Sequence, residues 1–257
     1  MSKSLSVGRA ARAGLMSALL AVKGYTGPAA PLEGPRGFLA LHSDAPDFAT
    51  LTDGLGSRWE ILKNTFKPYP CGVVLNPVIE ACLALHAQGD FSADAIASIR
   101  LTGHPLLRQR TDRPNVTTGR LSQVSAQHAV AVSLLWGRAD LEAFSDQAVQ
   151  DAQLKDLASK LSFVDDLSFT FEAAEVCLSL NDGRKLVRRI DAAKGGLDHP
   201  MTDADLAAKF RAQIGWRGID LDADELITSL EAIEDAADGA AFLAMTRDTT
   251  DMNGRAT

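Results

Sequence analysis

Apolar residues near the start, Val7, Ala11, Leu15, Leu19 and Val22, recur at helical spacing. Gly24 follows as a C-terminal stop, so the pattern predicts an amphipathic core helix that begins almost at Met1. A globular domain seldom opens in the middle of a packed helix, and sequence belonging in front of it is therefore expected to be missing. The passage from Tyr25 to Arg36, with Gly27-Pro28, Pro31 and Gly34-Pro35, is a connector. Short helices are predicted from Gly37 to His42 and from Pro46 to Leu55, then a brief strand over Trp59 to Leu62. Asn76 as cap, with Pro77 in the first helical position, opens a helix through Val78, Ile79, Cys82, Leu83 and Leu85 to Gly89.

From Ile96 to Thr102, Ile99 and Leu101 alternate with Ser98, Arg100 and Thr102, the pattern of a half-buried strand. Val124, His128, Ala131 and Leu135 predict a helix over 122–136 ended by Gly137, and helical pattern resumes between Asp146 and Leu161. Val176, Leu178 and Leu180, then Asn181-Asp182-Gly183, then Lys185 to Ile190 form the clearest local signal, a β-hairpin. Thr202 with Asp205 and Asp222 with Glu225 resemble capping boxes. The helices behind them carry Leu206, Phe210 and Ile214 on one face, and Leu226, Leu230 and Ile233 on the other's. The tail after Met245 is expected to fray.

Helix, then mixed strands and helices, then helix again predicts an α+β fold in which a helical domain is interrupted by a smaller insertion. The expected division is 1–57 for part of the helical domain, 58–195 for the insertion with an antiparallel sheet, and 196–257 for helices returning to the helical domain.

Composition narrows the function. The 257 residues are 46% hydrophobic, enough for a real core. A net charge of −7 offers no basic field for nucleic acid or anionic lipid. Three irregularly spaced cysteines, Cys71, Cys82 and Cys177, form neither a disulfide framework nor a metal motif, which suits a reducing cytoplasm. No uninterrupted apolar run approaches the roughly 20 residues that span a bilayer, so a soluble chain with no membrane partner is expected. The basic-then-apolar order around Lys3, Arg9 and Arg12 imitates a signal peptide, but no A-x-A cleavage site follows.

Walker A, G-x-G-x-x-G, G-x-S-x-G and HExxH motifs are absent, and the five histidines are scattered, so no metal site is predicted. The stretch that stands out is Phe66-Lys67-Pro68-Tyr69-Pro70-Cys71-Gly72. Two prolines hold the path while alternation places Lys67, Tyr69 and Cys71 on one side, just ahead of a helix N-terminus whose N–H groups favour anions. An ammonium there suits a di- or tricarboxylate. Lys67 serves as anchor, or as acid or base if burial lowers its pKa. Tyr69 offers a hydroxyl, and Cys71 is expected to have a lowered pKa. The same residues also suit a rigid connection with an exposed lysine and a packed tyrosine. His104, at the end of the Ile96 strand, is a further candidate. His128 reads as a core histidine, and Arg12 by itself as a solvated charge.

Several passages together resemble the MmgE/PrpD family, whose namesakes include 2-methylcitrate dehydratase. They are Gly8-Arg-Ala-Ala-Arg-Ala-Gly14, Gly24-Tyr-Thr-Gly-Pro28, Leu32-Glu-Gly-Pro-Arg-Gly-Phe38, Phe66-Lys-Pro-Tyr-Pro-Cys71, Ser125-Ala-Gln-His-Ala-Val130, and Pro200-Met-Thr-Asp203 leading to Lys209-Phe210. The resemblance implies a large all-helical domain with an α/β lid, a homodimer, and cofactor-free lyase chemistry on small polycarboxylates. Dehydration of 2-methylcitrate is the first reading. Decarboxylation of cis-aconitate and epimerisation of iminodisuccinate are the enzymatic alternatives. Lys67 matches an active-site lysine, with Tyr69 beside it. Arg12 falls where several members carry a cleft lysine, and His104 lies near the lid strand-end region that borders the site, while Arg12, Cys71 and His104 are the expected substrate-binding residues. The family's N-terminal half, which supplies much of the acid/base apparatus, is expected to have no counterpart, leaving only the C-terminal portion. On that basis the chain is expected to be a truncated or split lyase that works with a separately encoded N-terminal half, or else an inactive remnant or dimerising module.

Overall fold

Apolar spacing near the start produces the first long element of the computed structural model, which describes residues 2–246 apart from 219 and 240. Helix α1 spans Ser2–Val22. Its apolar residues are exposed, Val22 at 82%, so within this chain it is not the core helix expected. Leu5–Val22 is also long and apolar enough to cross a membrane by length and composition, with a mean hydropathy of 1.3. That corrects the expectation that nothing approaches such a span. Arg9 and Arg12 interrupt the run, so the span is not continuously apolar.

Phe38–His42 (α2) and Ala49–Thr52 (α3) follow. Trp59 to Leu62 is no strand, because Glu60–Lys63 winds into a 3-10 turn with exposed Ile61 and Leu62. An apolar run with nothing to pair against does not extend. The chain divides into two compact units, one ending at Leu62 and the other beginning at Lys63.

The second unit is α+β. A 3-10 turn, Val73–Leu75, leads into α4, Asn76–Gln88, which ends at left-handed Gly89. Asn76 is not the cap, since the preceding turn already winds the chain and Asn76 is buried inside the helix. Strand β1 (Ile96–Gly103) precedes α5 (Pro105–Thr111), α6 (Gly119–Ser122) and α7 (Ala126–Trp136). The helix expected over 122–136 is α7, starting at Ala126 because Ser125 caps it, and the short α6 before it is capped separately by Thr118.

The region 146–161 divides further. Ser145 caps α8 (Asp146–Gln150), and Asp151 caps α9 (Ala152–Ser159) by accepting from Gln153 N and Leu154 N. From Leu161, where the expected helical pattern ends, the period changes to two, with Leu161 and Phe163 half-buried, and strand β2 (Leu161–Asp165) follows. The hairpin follows as β3 (Ala174–Leu180) and β4 (Lys185–Ile190).

The sheet order is β2-β1-β3-β4, with β1 parallel to β2 and both other pairings antiparallel. The sheet is therefore mixed rather than purely antiparallel. A parallel neighbour needs a long crossover, and α5 to α9 supply it. Helix α4 packs on β3, β4 and α7. Ile79, Cys82 and Leu85 meet Val130, Val132, Ile99, Leu101, Val176 and Leu178 in one buried cluster. Each large aliphatic side chain buried there stabilises by about 1.5–3 kcal/mol. Every residue of α7 from Ala126 to Leu134 is buried, the mark of a helix enclosed on all sides.

Helices α10 (Asp203–Arg217), α11 (Ala223–Glu231) and α12 (Ala241–Met245) complete the described chain. Thr202 and Asp205 form a true capping box. Asp222 accepts from Asp224 N and Glu225 N as a simple cap, without the reciprocal bond. Leu226 is buried at 2%, but Leu230 is 40% exposed and Ile233 falls in a 3-10 turn, so the expected apolar face of α11 narrows to one residue. The expected frayed tail lies almost wholly outside the described residues.

Candidate active site

The Phe66 to Gly72 stretch has no regular structure of its own and is pinned from outside. Phe66 N donates to Gly195 O at 2.9 Å, and Gly72 N to Gln123 O at 2.8 Å. Lys209 Nζ, on α10, donates to Lys67 O at 2.6 Å. Gly195 makes the first contact possible. Its φ is +90°, and a Cβ there would collide with Phe66 O.

These anchors send the three polar residues in different directions rather than to one side. Lys67 is exposed and reaches back to donate from Nζ to Cys71 O at 3.2 Å. Together with Arg110, Phe171, Glu172 and Lys194 it lines a cavity of about 360 Å³. Tyr69 packs against the core and lines a different, larger cleft of about 520 Å³ with Arg138, Lys194, Asp205, Lys209 and Trp216. Burial, then the charges of Glu80 and Cys71, push its phenol pKa up, so it stays protonated at neutral pH.

Cys71 is buried and lines neither space among the residues named for them. Burial drives its thiol up to about 12 against a weaker opposing pull from Lys67. The lowered pKa expected from the helix N-terminus is therefore reversed. The 3-10 turn explains part of this, because Leu75 N and Asn76 N already donate to Gly72 O and Val73 O. Fewer N–H groups are left facing an anion than a bare helix start would offer.

His104 caps α5, its Nδ1 accepting from Leu106 N at 3.2 Å. Its ring meets Phe171 edge-on at 4.6 Å, which places it one contact behind the Lys67 cavity. Arg12 is exposed on α1 in the other compact unit. His128 is the core histidine expected, with Nε2 donating to Ala143 O at 2.7 Å.

Charge pairing separates the two spaces. In the larger cleft two of the three cations are neutralised by carboxylates, and Lys209, like Lys67, has only a backbone carbonyl. Arg138 pairs with Asp140 and Glu142, Lys194 with Asp205 at 2.5 Å, and Lys209 with the Lys67 carbonyl. The Asp205 carboxyl, held first by Lys194 and then by Thr202, falls to about 2. In the smaller cavity, Lys67 and Arg110 have no carboxylate within ion-pair distance among the described residues. Unpaired positive charge around a concave space of this size suits a small anion.

Arg110, Glu172 and Lys194 were not singled out from the sequence. Lys194-Gly195-Gly196 did carry a signal, since paired glycines mark close backbone approach. Arg110 carried none, standing among other arginines on a short helix. Among the described residues, no group of three or more His, Cys, Asp or Glu is placed to hold a metal ion.

Comparison with known proteins places these features in a family. The chain is 27% identical to the cis-aconitate decarboxylase of Mus musculus over 248 residues, covering 92% of this chain and 50% of that protein. It is also 27% identical to a cis-aconitate decarboxylase-like protein of Aspergillus oryzae, covering 95% of this chain and 55% of that protein. Identity to the cis-aconitate decarboxylase of Homo sapiens is 25%, over 92% of this chain and 51% of that protein. The chain thus spans about half the length of the curated relatives it matches. Residues 1–51 match the MmgE/PrpD N-terminal domain, which corrects the expectation that only the C-terminal portion is represented. Lys67 lies between that match and the next. Residues 69–233 match the MmgE/PrpD C-terminal domain, and the chain belongs to the MmgE/PrpD family.

Proposed function

We propose that this chain serves a cofactor-independent lyase acting on small di- or tricarboxylates, with Lys67 as the group that holds the substrate at the reacting carbon. The carrying observation is the Lys67 ammonium, with no carboxylate partner among the described residues, on a cavity of about 360 Å³ beside a turn pinned by Gly195, Gln123 and Lys209. The named activities of the similar proteins make cis-aconitate decarboxylation the leading reaction.

In such a reaction the carbon–carboxylate bond breaks, CO2 departs, and the electron pair left on carbon takes up a proton. An ammonium beside the remaining carboxylate stabilises the developing charge and can supply that proton. Dehydration of a 2-methylcitrate-type substrate needs the same anchoring, with a proton removed beside a carboxylate and hydroxide lost. In either reaction His104, packed behind Phe171, takes a positioning role beside the cavity, whereas Tyr69 opens on the other cleft and Cys71 is buried, so neither lines this space.

The test is turnover of cis-aconitate, 2-methylcitrate and citrate by the purified chain, alone and mixed with any separately encoded partner half. Lys67→Met should lower the rate by about 10²–10⁴-fold. No turnover in either condition sinks the lyase reading. The product formed, an alkene dicarboxylate with CO2 or an alkene tricarboxylate with water, separates decarboxylase from dehydratase.

A second reading, an interaction module that dimerises, is favoured by the exposed apolar residues of α1, including Leu15, Leu19 and Val22. A stable monomer on sizing chromatography, with melting that depends on carboxylate ligands, would argue against it.

A further inference from the structure

Three arginines lie close together in the chain, at 108, 110 and 113. Arg108 pairs with Asp165 on β2, and Arg113 donates from Nη1 to the Asp112 carbonyl at 2.7 Å. Arg110, in the last turn of α5, has no bonded acceptor among the described residues, yet it lines the Lys67 cavity. An unpaired arginine on a flat surface is ordinary. Here it lines the same concave space as Lys67, a second cation with no carboxylate partner among the described residues, and two like charges on one cavity raise the local potential. Lys194, the third cation of the lining, is held by Asp205. Glu172 is the one carboxylate of the lining, so the charge facing the space is in positive excess.

We infer that Arg110 is a specificity-determining residue of the Lys67 cavity, and that the pair selects substrates bearing at least two carboxylates. The chemistry of the two groups divides the work. A guanidinium presents a planar fork that takes a carboxylate through two parallel hydrogen bonds, which fixes orientation. Lys67 offers a compact point charge that a second carboxylate approaches from any direction. One carboxylate therefore docks on Arg110, and the carbon beside the other is presented to Lys67. Phe171, with His104 packed on its edge, supplies an apolar part of the cavity wall. The inference rests on the lyase reading only for the identity of the reacting substrate, and the binding geometry stands apart from it.

The experiment measures binding of tricarballylate, a non-reacting tricarboxylate, and of butyrate to the wild-type chain, Arg110→Met and Arg110→Lys, alongside cis-aconitate turnover by the wild type, alone and mixed with any separately encoded partner half. Arg110 makes no contact that folding needs, so all three proteins should melt together. Arg110→Met should weaken tricarballylate by about 10–100-fold, the effect of losing a charged hydrogen-bonded pair, and leave butyrate unchanged. Arg110→Lys should recover only part of that loss. Equal weakening of both ligands, or tricarballylate affinity unchanged in Arg110→Met, overturns the inference. Wild type that turns over cis-aconitate but does not bind tricarballylate overturns it while the lyase reading survives. The expected binding pattern without turnover supports it and removes the lyase reading, and the absence of both binding and turnover removes both.

Discussion

Lys209, on α10, donates its ammonium to the backbone carbonyl of Lys67 at 2.6 Å, although the two residues are 142 positions apart. The C-terminal helices are thereby tied to the turn that presents the candidate active-site lysine. A charged donor on a backbone carbonyl holds the main chain without engaging the Lys67 ammonium, which donates to Cys71 O. Helix α10 is itself fixed by the Thr202 and Asp205 capping box, and Asp205 also holds Lys194.

Lys209→Met should therefore separate stability from binding. The lost hydrogen bond is partly solvent-exposed and should cost about 1 kcal/mol of stability. Tricarballylate affinity should fall by more than that loss implies, because the Lys67 turn is no longer held. Thermal melting and calorimetric titration read the two effects, and unchanged affinity would mean that Lys67 is positioned without α10.

Gly195→Ala tests the opposite anchor. An alanine there must adopt a left-handed φ of +90° and collide with Phe66 O. Strain of this kind costs about 1–3 kcal/mol, and relief requires breaking the Phe66 N to Gly195 O bond. A lowered melting temperature is expected, together with weaker carboxylate binding. An alanine variant that melts like wild type would show that the loop rearranges freely.

The cysteines should be inert. Cys71, Cys82 and Cys177 are buried and unpaired, and burial drives the Cys71 thiol up to about 12 and the Cys82 thiol higher still. At pH 8 the Cys71 thiolate fraction is then on the order of one part in ten thousand. A thiol reagent such as iodoacetamide should label none of the three in the folded chain and all three after denaturation. Rapid labelling of Cys71 in the native protein would return it to the list of reactive groups.

His128 gives the fold an acid sensitivity. Burial lowers its pKa from the ordinary value of 6.5, against a smaller opposing effect from its bond to Ala143 O. The unfolded chain therefore binds a proton more readily than the folded one. The contribution to stability is complete above about 6.5 and is lost as pH falls through that value toward the lowered folded pKa. Asp205, depressed from 3.8 to about 2, acts in a separate window, losing its contribution only below 3.8. Denaturant melts between pH 8 and 4 should show stability falling below 6.5 in the wild type, with a flatter profile in His128→Gln.

Local chemistry was legible directly. Asn181-Asp182-Gly183 between alternating apolar runs determined the β3–β4 hairpin, Gly89 and Gly137 ended their helices, and Thr202 with Asp205 formed the predicted box. Each depends on residues within a few positions of one another, and the apolar spacing of α7 was strong enough to mark a buried helix. The Phe66 to Gly72 stretch was also visible as unusual, because prolines and polar groups at fixed offsets are a property of the chain alone.

What tertiary structure decided was which of those groups face the same space. Strand β2 exists because β1 offers it a parallel edge 60 or so residues away, and no local pattern overrides the helical spacing before Leu161. Lys67 and Tyr69, two residues apart, open on different cavities because Gly195, Gln123 and Lys209 fix the turn between them. Arg110 became a candidate only when its neighbours were seen to be paired and it was not. Pairing, burial and the pKa reversal at Cys71 all depend on residues far along the chain, and sequence spacing carries no record of which charges a fold will leave unanswered.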